Sequence, residues 1–225
     1  MTRLRAVLFD IDGTLVDSNY LHVDAWDRGF TEAGIPVPFW RIHRSIGMDS
    51  EKLLDSLAGG AGDDAVSKAK ELHSDYYVQS ADRLRPFDGA RDLLRAVAAL
   101  DVQAVLATSA PENELEILRK VLDVDDAVSE ATSAGDVETA KPEPDVVNVA
   151  LQKAGVDAGD AVFVGDTVWD AEASRRAGVD MIGVLSGGVS ERELLDAGVI
   201  AVFEDVADLL AHLDDSPIGE RTRKP

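Results

Sequence analysis

Two aspartates one residue apart close an apolar run in Val7-Leu8-Phe9-Asp10-Ile11-Asp12-Gly13-Thr14. In an extended strand, side chains at i and i+2 share a face, so Asp10 and Asp12 converge where such a strand ends. Gly13 lets the chain turn there without a steric penalty. Paired carboxylates repel, and the pair needs a metal or a shared proton to balance it. Polar residues recur after later apolar runs. Thr108 and Ser109 follow Val102–Ala107, and Asp166 follows Ala161–Gly165, with Asp170 four residues on. If a helix starts just after Asp166, both carboxylates face one pocket near its positive end. Lys141, in Ala140-Lys141-Pro142-Glu143-Pro144, precedes another helical stretch, and Pro142 turns it away from helical geometry. Each piece alone also has a plain structural explanation: an acidic turn, a helix cap, a solvated lysine.

The elements that must hold these residues alternate. Strands are expected near residues 5–10, 102–108, 127–131, 161–165, 181–185 and 199–203. Between the later ones lie helical stretches, most of them ended by Gly155, Gly178 or Gly198. Strands alternating with helices predict an α/β fold with a doubly wound, Rossmann-like parallel sheet, and such sheets bind ligands beyond the carboxyl ends of their strands. One block breaks the rhythm. Residues 17–85 read as helix throughout, interrupted at Pro36, Pro38, Gly47 and Gly59–Gly62, and form an inserted all-α cap. In it Trp26, Phe39 and Trp40 are expected to be core, and Val66, Ala69, Leu72 and Tyr76 the inward face of the long last helix. The organisation is therefore a core of residues 1–16 and 86–213, a cap of 17–85, and a flexible polar tail of 214–225.

Composition narrows the function. The 225 residues suit one large domain or a core with an insertion, and 45% hydrophobic residues can build a real interior. No apolar run is long enough to span a membrane, and Met1-Thr2-Arg3-Leu4-Arg5 leads straight into the first strand, so a soluble cytoplasmic protein is expected. With no cysteine there is neither a disulfide nor a thiolate metal site. Asp and Glu total 43 against 22 Lys and Arg, a net charge of −21. That field repels nucleic acid and anionic membranes, and it demands local positive charge wherever an anionic substrate binds. Concentrated salt would screen it.

Taken together and in this order, strand-Asp-x-Asp-Gly-Thr, strand-Thr-Ser, Lys-Pro and strand-Gly-Asp-x-x-x-Asp resemble the haloacid dehalogenase-like hydrolase superfamily, in its helical-cap subgroup. The likeness covers about residues 5–213. It implies an aspartyl-phosphate intermediate and a Mg²⁺ ion. Asp10 is the expected nucleophile, since a carboxylate attacking phosphorus divides one displacement into two. Asp12 resembles the general acid and base. The implied Mg²⁺ ligands are Asp10, the backbone carbonyl of Asp12, Asp166, and Asp170 directly or through water. Thr108, with the backbone NH groups of Ser109 and Ile11, would hold phosphoryl oxygens, and Lys141 would restrain Asp10 and meet developing negative charge.

Departures from the family pattern sharpen the expectation. Dehalogenases lack the second aspartate, so Asp12 favours a C–O–P substrate. Residues 19–26, Asn19 to Trp26, resemble the cap of β-phosphoglucomutase, which carries an arginine after a cap glycine; here Gly47 is followed by Met48-Asp49-Ser50. A phosphatase of small phosphorylated metabolites, of the sugar phosphate or phosphoglycolate class, is therefore preferred to a phosphosugar mutase. A non-catalytic phosphate-binding protein is the remote alternative. His22 and Arg44 of the cap are the substrate-binding candidates, and a monomer or weak dimer is expected.

Overall fold

The computed structural model describes residues 3–136, 139 and 141–223. Met1, Thr2, Ala140 and the last two residues of the tail, all touched on above, lie outside the described residues. The chain separates into two compact units: one takes in the chain up to Asp17 and again from Arg85, the other is Ser18–Leu84. No helix among the described residues is long and apolar enough to cross a membrane.

The Ser18–Leu84 unit is all helix: α1 (Asn19–Glu32), α2 (Phe39–Ser45), α3 (Ser50–Ala58) and α4 (Asp63–Gln79), with a short 3₁₀ turn at Ala81–Arg83. Asp49 caps α3, its side chain accepting from the backbone N–H of Glu51 and Lys52. The core gathers Val23, Trp26 and Phe30 from α1, Ile42 from α2, Leu53 and Leu54 from α3, and Ala69 from α4. Two expectations fail here. Phe39 and Trp40 are 56% and 69% exposed, because Ile42 supplies the inward face of α2. On α4 the inward tyrosine is Tyr77, not Tyr76. Ala69, His73 and Tyr77 repeat every fourth residue on one helix face. Tyr76 instead donates to Glu32 Oε2 at 2.6 Å, with the Arg28 guanidinium 3.6 Å from its ring centre.

The other unit is built on six parallel strands: β1 (Ala6–Phe9), β2 (Gln103–Leu106), β3 (Val128–Ala131), β4 (Ala161–Gly165), β5 (Asp180–Val184) and β6 (Ala201–Phe203). β1 and β4 are buried at every residue, as strands covered on both faces must be. The helices are α5 (Ala90–Ala99), α6 (Glu112–Leu122), α7 (Asp145–Ala154), α8 (Val168–Ala177), α9 (Glu191–Ala197), α10 (Val206–Ala211) and α11 (Pro217–Thr222). Leu8, Val105 and Phe163 pack with Val146, Val147 and Ala150 of α7 and Ala171 and Ala173 of α8. α5 packs on β2 and α10.

The strand order is β3-β2-β1-β4-β5-β6. From β1 the chain steps outward to β3, then crosses back to lay β4 against β1, with Phe9 beside Val164. Between β1 and β4 lies the switch point at which open α/β sheets place their ligands. The chain leaves this unit after Asp17 and re-enters at Arg85, and the Asp17 N–H donates to the Arg85 carbonyl at 2.9 Å.

The C-terminal stretch expected to fray is instead structured through residue 223. Ser216 caps α11, its hydroxyl accepting from the N–H of Ile218 and Gly219. Ile218 is fully buried, and Arg221, 4% exposed, donates to the carbonyls of Ala161 and Gly159. A polar composition concealed one apolar anchor and one arginine aimed at backbone oxygens.

Candidate active site

The site grows from the end of β1. The Asp10 N–H extends the ladder by donating to the Val164 carbonyl at 2.9 Å, and its carboxylate is buried. The chain then curls around one oxygen: the Ile11 carbonyl accepts from the N–H groups of Thr14, Leu15 and Val16. Gly13, at φ 77°, makes the turn that permits this. Asp12 is half-buried in the same loop. Thr14, given no role in the sequence reading, donates from its hydroxyl to Asp166 Oδ1 at 2.8 Å.

Asp166 emerges from the end of β4 and is fully buried. The next residue, Thr167, caps α8 in a reciprocal box. Asp170 Oδ2 accepts from the Thr167 N–H at 3.0 Å and its hydroxyl at 2.5 Å, and the Asp170 N–H donates back to Thr167 Oγ1. One oxygen of Asp170 is thus committed to its own helix. The other, Oδ1, lies 2.6 Å from Lys141 Nζ. That ammonium also donates to Asp10 Oδ1 at 2.5 Å and is itself buried. Oxygens of Asp10, Asp166 and Asp170 lie within 4.8 Å of one another.

Burial dominates the electrostatics. It pushes the Asp10 carboxyl up; Lys141 pulls it back, the charges of Asp170 and Asp12 push it up again, and the balance rests at about 7. Burial alone would drive Lys141 towards neutrality, but Asp10 and Asp170 more than reverse this and hold its ammonium above the ordinary lysine value. Lys141 therefore stays charged at every physiological pH.

Thr108 lies beyond β2, beside β1, where the Ala107 N–H donates to the Phe9 carbonyl at 2.7 Å. Its hydroxyl accepts from the Ala110 N–H, which leaves the hydroxyl proton available to a ligand. Thr132 fixes the Thr108 backbone, accepting from its N–H and donating to its carbonyl. Ser109 is half-buried next to it. Asp10, Lys141, Asp166 and Asp170 thus converge, with Thr108 and Ser109 at the end of the neighbouring strand. His22 and Arg44 belong to the helical unit. There His22 stacks on Tyr77 with centroids 3.8 Å apart and shares a 3.1 Å hydrogen bond with His73, while Arg44 is exposed. Besides Thr14, the sequence reading passed over Thr132, Thr167, Ser186 and Gly187. Ser186-Gly187-Gly188 follows β5 at the carboxyl edge of the sheet, the same positional signal that marked Thr108 and Asp166.

A parallel sheet that gathers acidic groups and one ammonium at its switch point defines an α/β enzyme of the Rossmann-like kind. The chain belongs to the haloacid dehalogenase-like hydrolase family, whose model matches residues 4–178. It is 30% identical over 222 residues to a phosphoglycolate phosphatase of Pseudomonas putida, covering 96% of this chain and 82% of that protein. The crystal structure of a hydrolase from Pseudomonas syringae superposes with a TM-score of 0.89 at 35% identity, covering 94% of this chain and 98% of that one. A β-phosphoglucomutase from Clostridium difficile shares the fold, with a TM-score of 0.81 at 20% identity over 94% of this chain and 96% of that one.

Proposed function

We propose that the chain is a Mg²⁺-dependent phosphatase of small phosphorylated metabolites, of the phosphoglycolate or sugar phosphate class, working through an aspartyl-phosphate on Asp10. The observation that carries this reading is the buried contact of Lys141 Nζ with Asp10 Oδ1 at 2.5 Å, beside two further buried carboxylates. The kinship with a phosphoglycolate phosphatase supports the substrate class.

The donor set suits Mg²⁺. It is all oxygen, and with every group ionised the three carboxylates and one ammonium leave two negative charges, which one divalent cation balances. Asp10, Asp166 and the Asp12 carbonyl would hold the ion. Asp170, already bonded to Lys141 and Thr167, would contribute through a water. Bound there, Mg²⁺ would supply charge neutralisation for the phosphoryl oxygens.

The residues then divide the chemistry. A carboxylate oxygen of Asp10 attacks phosphorus, and the bond from phosphorus to the ester oxygen breaks. Asp12 gives its proton to the departing alkoxide. In the second half Asp12 takes a proton from water, the hydroxyl attacks phosphorus, and Asp10 is released as a carboxylate with inorganic phosphate. Lys141 keeps Asp10 oriented and meets charge developing on the phosphoryl oxygens, while the Thr108 hydroxyl and the Ser109 and Ile11 N–H groups donate to them. His22 and Arg44 are the side chains to test for substrate choice.

The deciding experiment is phosphate release from phosphoglycolate and a set of sugar phosphates, with and without Mg²⁺. Metal-dependent release of free phosphate is the expected result. A hexose 1-phosphate converted to its 6-phosphate with little free phosphate would make the chain a mutase. Binding without turnover of any substrate would leave a phosphate-binding protein.

A further inference from the structure

We infer that the turn after β5, Leu185–Gly187, positions the metal-binding carboxylate: Ser186 ties down the loop after β1, and Gly187 leaves the space that Asp166 fills. This rests on the metal role proposed for Asp166 and adds two residues to it.

β5 is not a neighbour of β1, because β4 lies between them. Adjacent strands are about 4.8 Å apart, so a contact from the end of β5 to the loop after β1 spans about 10 Å, across the end of β4. The Ser186 hydroxyl makes that contact, donating to the Gly13 carbonyl at 2.6 Å. Gly13 is the residue on which the loop turns, and the following peptide carries Thr14, whose hydroxyl holds Asp166 Oδ1. Ser186 thus fixes, through one carbonyl, the platform from which Thr14 reaches Asp166.

Gly187 acts from the opposite side. A Cβ at this position would lie 1.8 Å from Asp166 Oδ2 and 2.6 Å from its Cγ. Its neighbour Gly188 has φ 82°, a conformation that favours glycine, but the Gly187 backbone lies outside that region. The three atoms that a Cβ at 187 would approach most closely all belong to the Asp166 side chain. Asp166 is completely buried, so it has no solvent into which to retreat. Held by Thr14 on one oxygen and walled by Gly187 at the other, it has one place to be.

Both residues act through Asp166 and the loop beside it, so both are positioning residues. The test is a Mg²⁺ titration by calorimetry on the full chain, with kcat, KM for substrate and the Mg²⁺ requirement measured alongside. Gly187→Ala should weaken Mg²⁺ binding by about tenfold or more, in the range found when groups behind metal ligands are changed. Substrate KM at saturating Mg²⁺ should change little. Ser186→Ala should weaken Mg²⁺ binding by a smaller factor, and Ser186→Thr, which keeps the hydroxyl, should restore it. Gly62→Ala, where a Cβ meets nothing within 4 Å, is the control. Asp166→Asn separates the two claims. If it abolishes Mg²⁺ binding while Gly187→Ala and Ser186→Ala bind as wild type, the turn has no positioning role and the metal assignment stands. If Asp166→Asn itself binds normally, both claims fall. Should Gly187→Ala not fold, the Ser186 pair decides: unchanged Mg²⁺ affinity in Ser186→Ala overturns the inference.

Discussion

The Thr14 hydroxyl and Asp166 Oδ1, 152 residues apart in sequence, meet at 2.8 Å in a place closed to solvent. This bond joins the loop after β1 to the end of β4 across the switch point, so the two halves of the sheet share one site. Thr14→Val keeps the shape and removes the donor. It should raise the Mg²⁺ concentration for half-maximal activity by about tenfold. It should also cost about 1–3 kcal/mol of stability, the penalty of stranding a buried acceptor. Thr14→Ser should behave like wild type. Mg²⁺ titrations and thermal melts of the three proteins check this, and an unaltered valine variant would show the bond to be incidental.

Asp10→Asn should fold and lose turnover by a factor of about a thousand or more, because an amide oxygen does not form the covalent intermediate. Beryllium fluoride, which mimics a phosphoryl group on a carboxylate, should stabilise the wild type in the presence of Mg²⁺ and have no effect on this variant. Thermal shift measures both, and equal stabilisation would remove Asp10 from the role of nucleophile.

Lys141→Met strands Asp10 and Asp170, which now share its ammonium at 2.5 and 2.6 Å. Breaking a buried pair from one side costs about 3–5 kcal/mol, since uncompensated charge stays inside. The loss should be greatest in chelator and partly reversed by Mg²⁺. Denaturant unfolding of both proteins under the two conditions gives the comparison.

The raised pKa of Asp10 makes stability depend on pH in a definite direction. Its ordinary value of 3.8 becomes about 7 in the folded chain, so between those values the folded state binds a proton that the unfolded state has released. The contribution is complete below pH 3.8 and is lost as pH rises through about 7. In chelator, the wild type should therefore lose stability relative to Asp10→Asn as pH rises from about 4 to about 7. Mg²⁺ should close the gap, because it favours the ionised carboxylate. Parallel melts across that range test it, and a constant difference between the proteins would count against the raised value.

Arg221 should prove structural. It bonds the carbonyls of Ala161 and Gly159 at the entry to β4. Arg221→Ala should cost about 1.5–3 kcal/mol, the usual worth of a charge-assisted hydrogen bond, and leave kcat of the folded protein unchanged. Chemical denaturation with activity assays on the same samples would show it.

Local chemistry made much of this molecule readable from its amino acids. Apolar runs closed by Asp10, by Thr108 and by Gly165-Asp166 marked the strands and their carboxyl ends. Alternation with glycine-stopped helices implied a parallel sheet, and such a sheet has only one edge at which loops of this kind gather. Tertiary packing decided what composition and periodicity leave open. The inward residue on α4 is Tyr77 because a helix face is chosen by its neighbour, and Tyr76 and Tyr77 are equally apolar in a sequence. Arg221 and Ile218 turned an ordinary polar tail into an anchored helix. The partners of Asp166 and Asp170 were also beyond sequence reach. Thr14, Thr167, Ser186 and Gly187 are common residue types in turns, and their importance comes from distances of a few ångströms between loops that only the crossing of β4 back to β1 brings together.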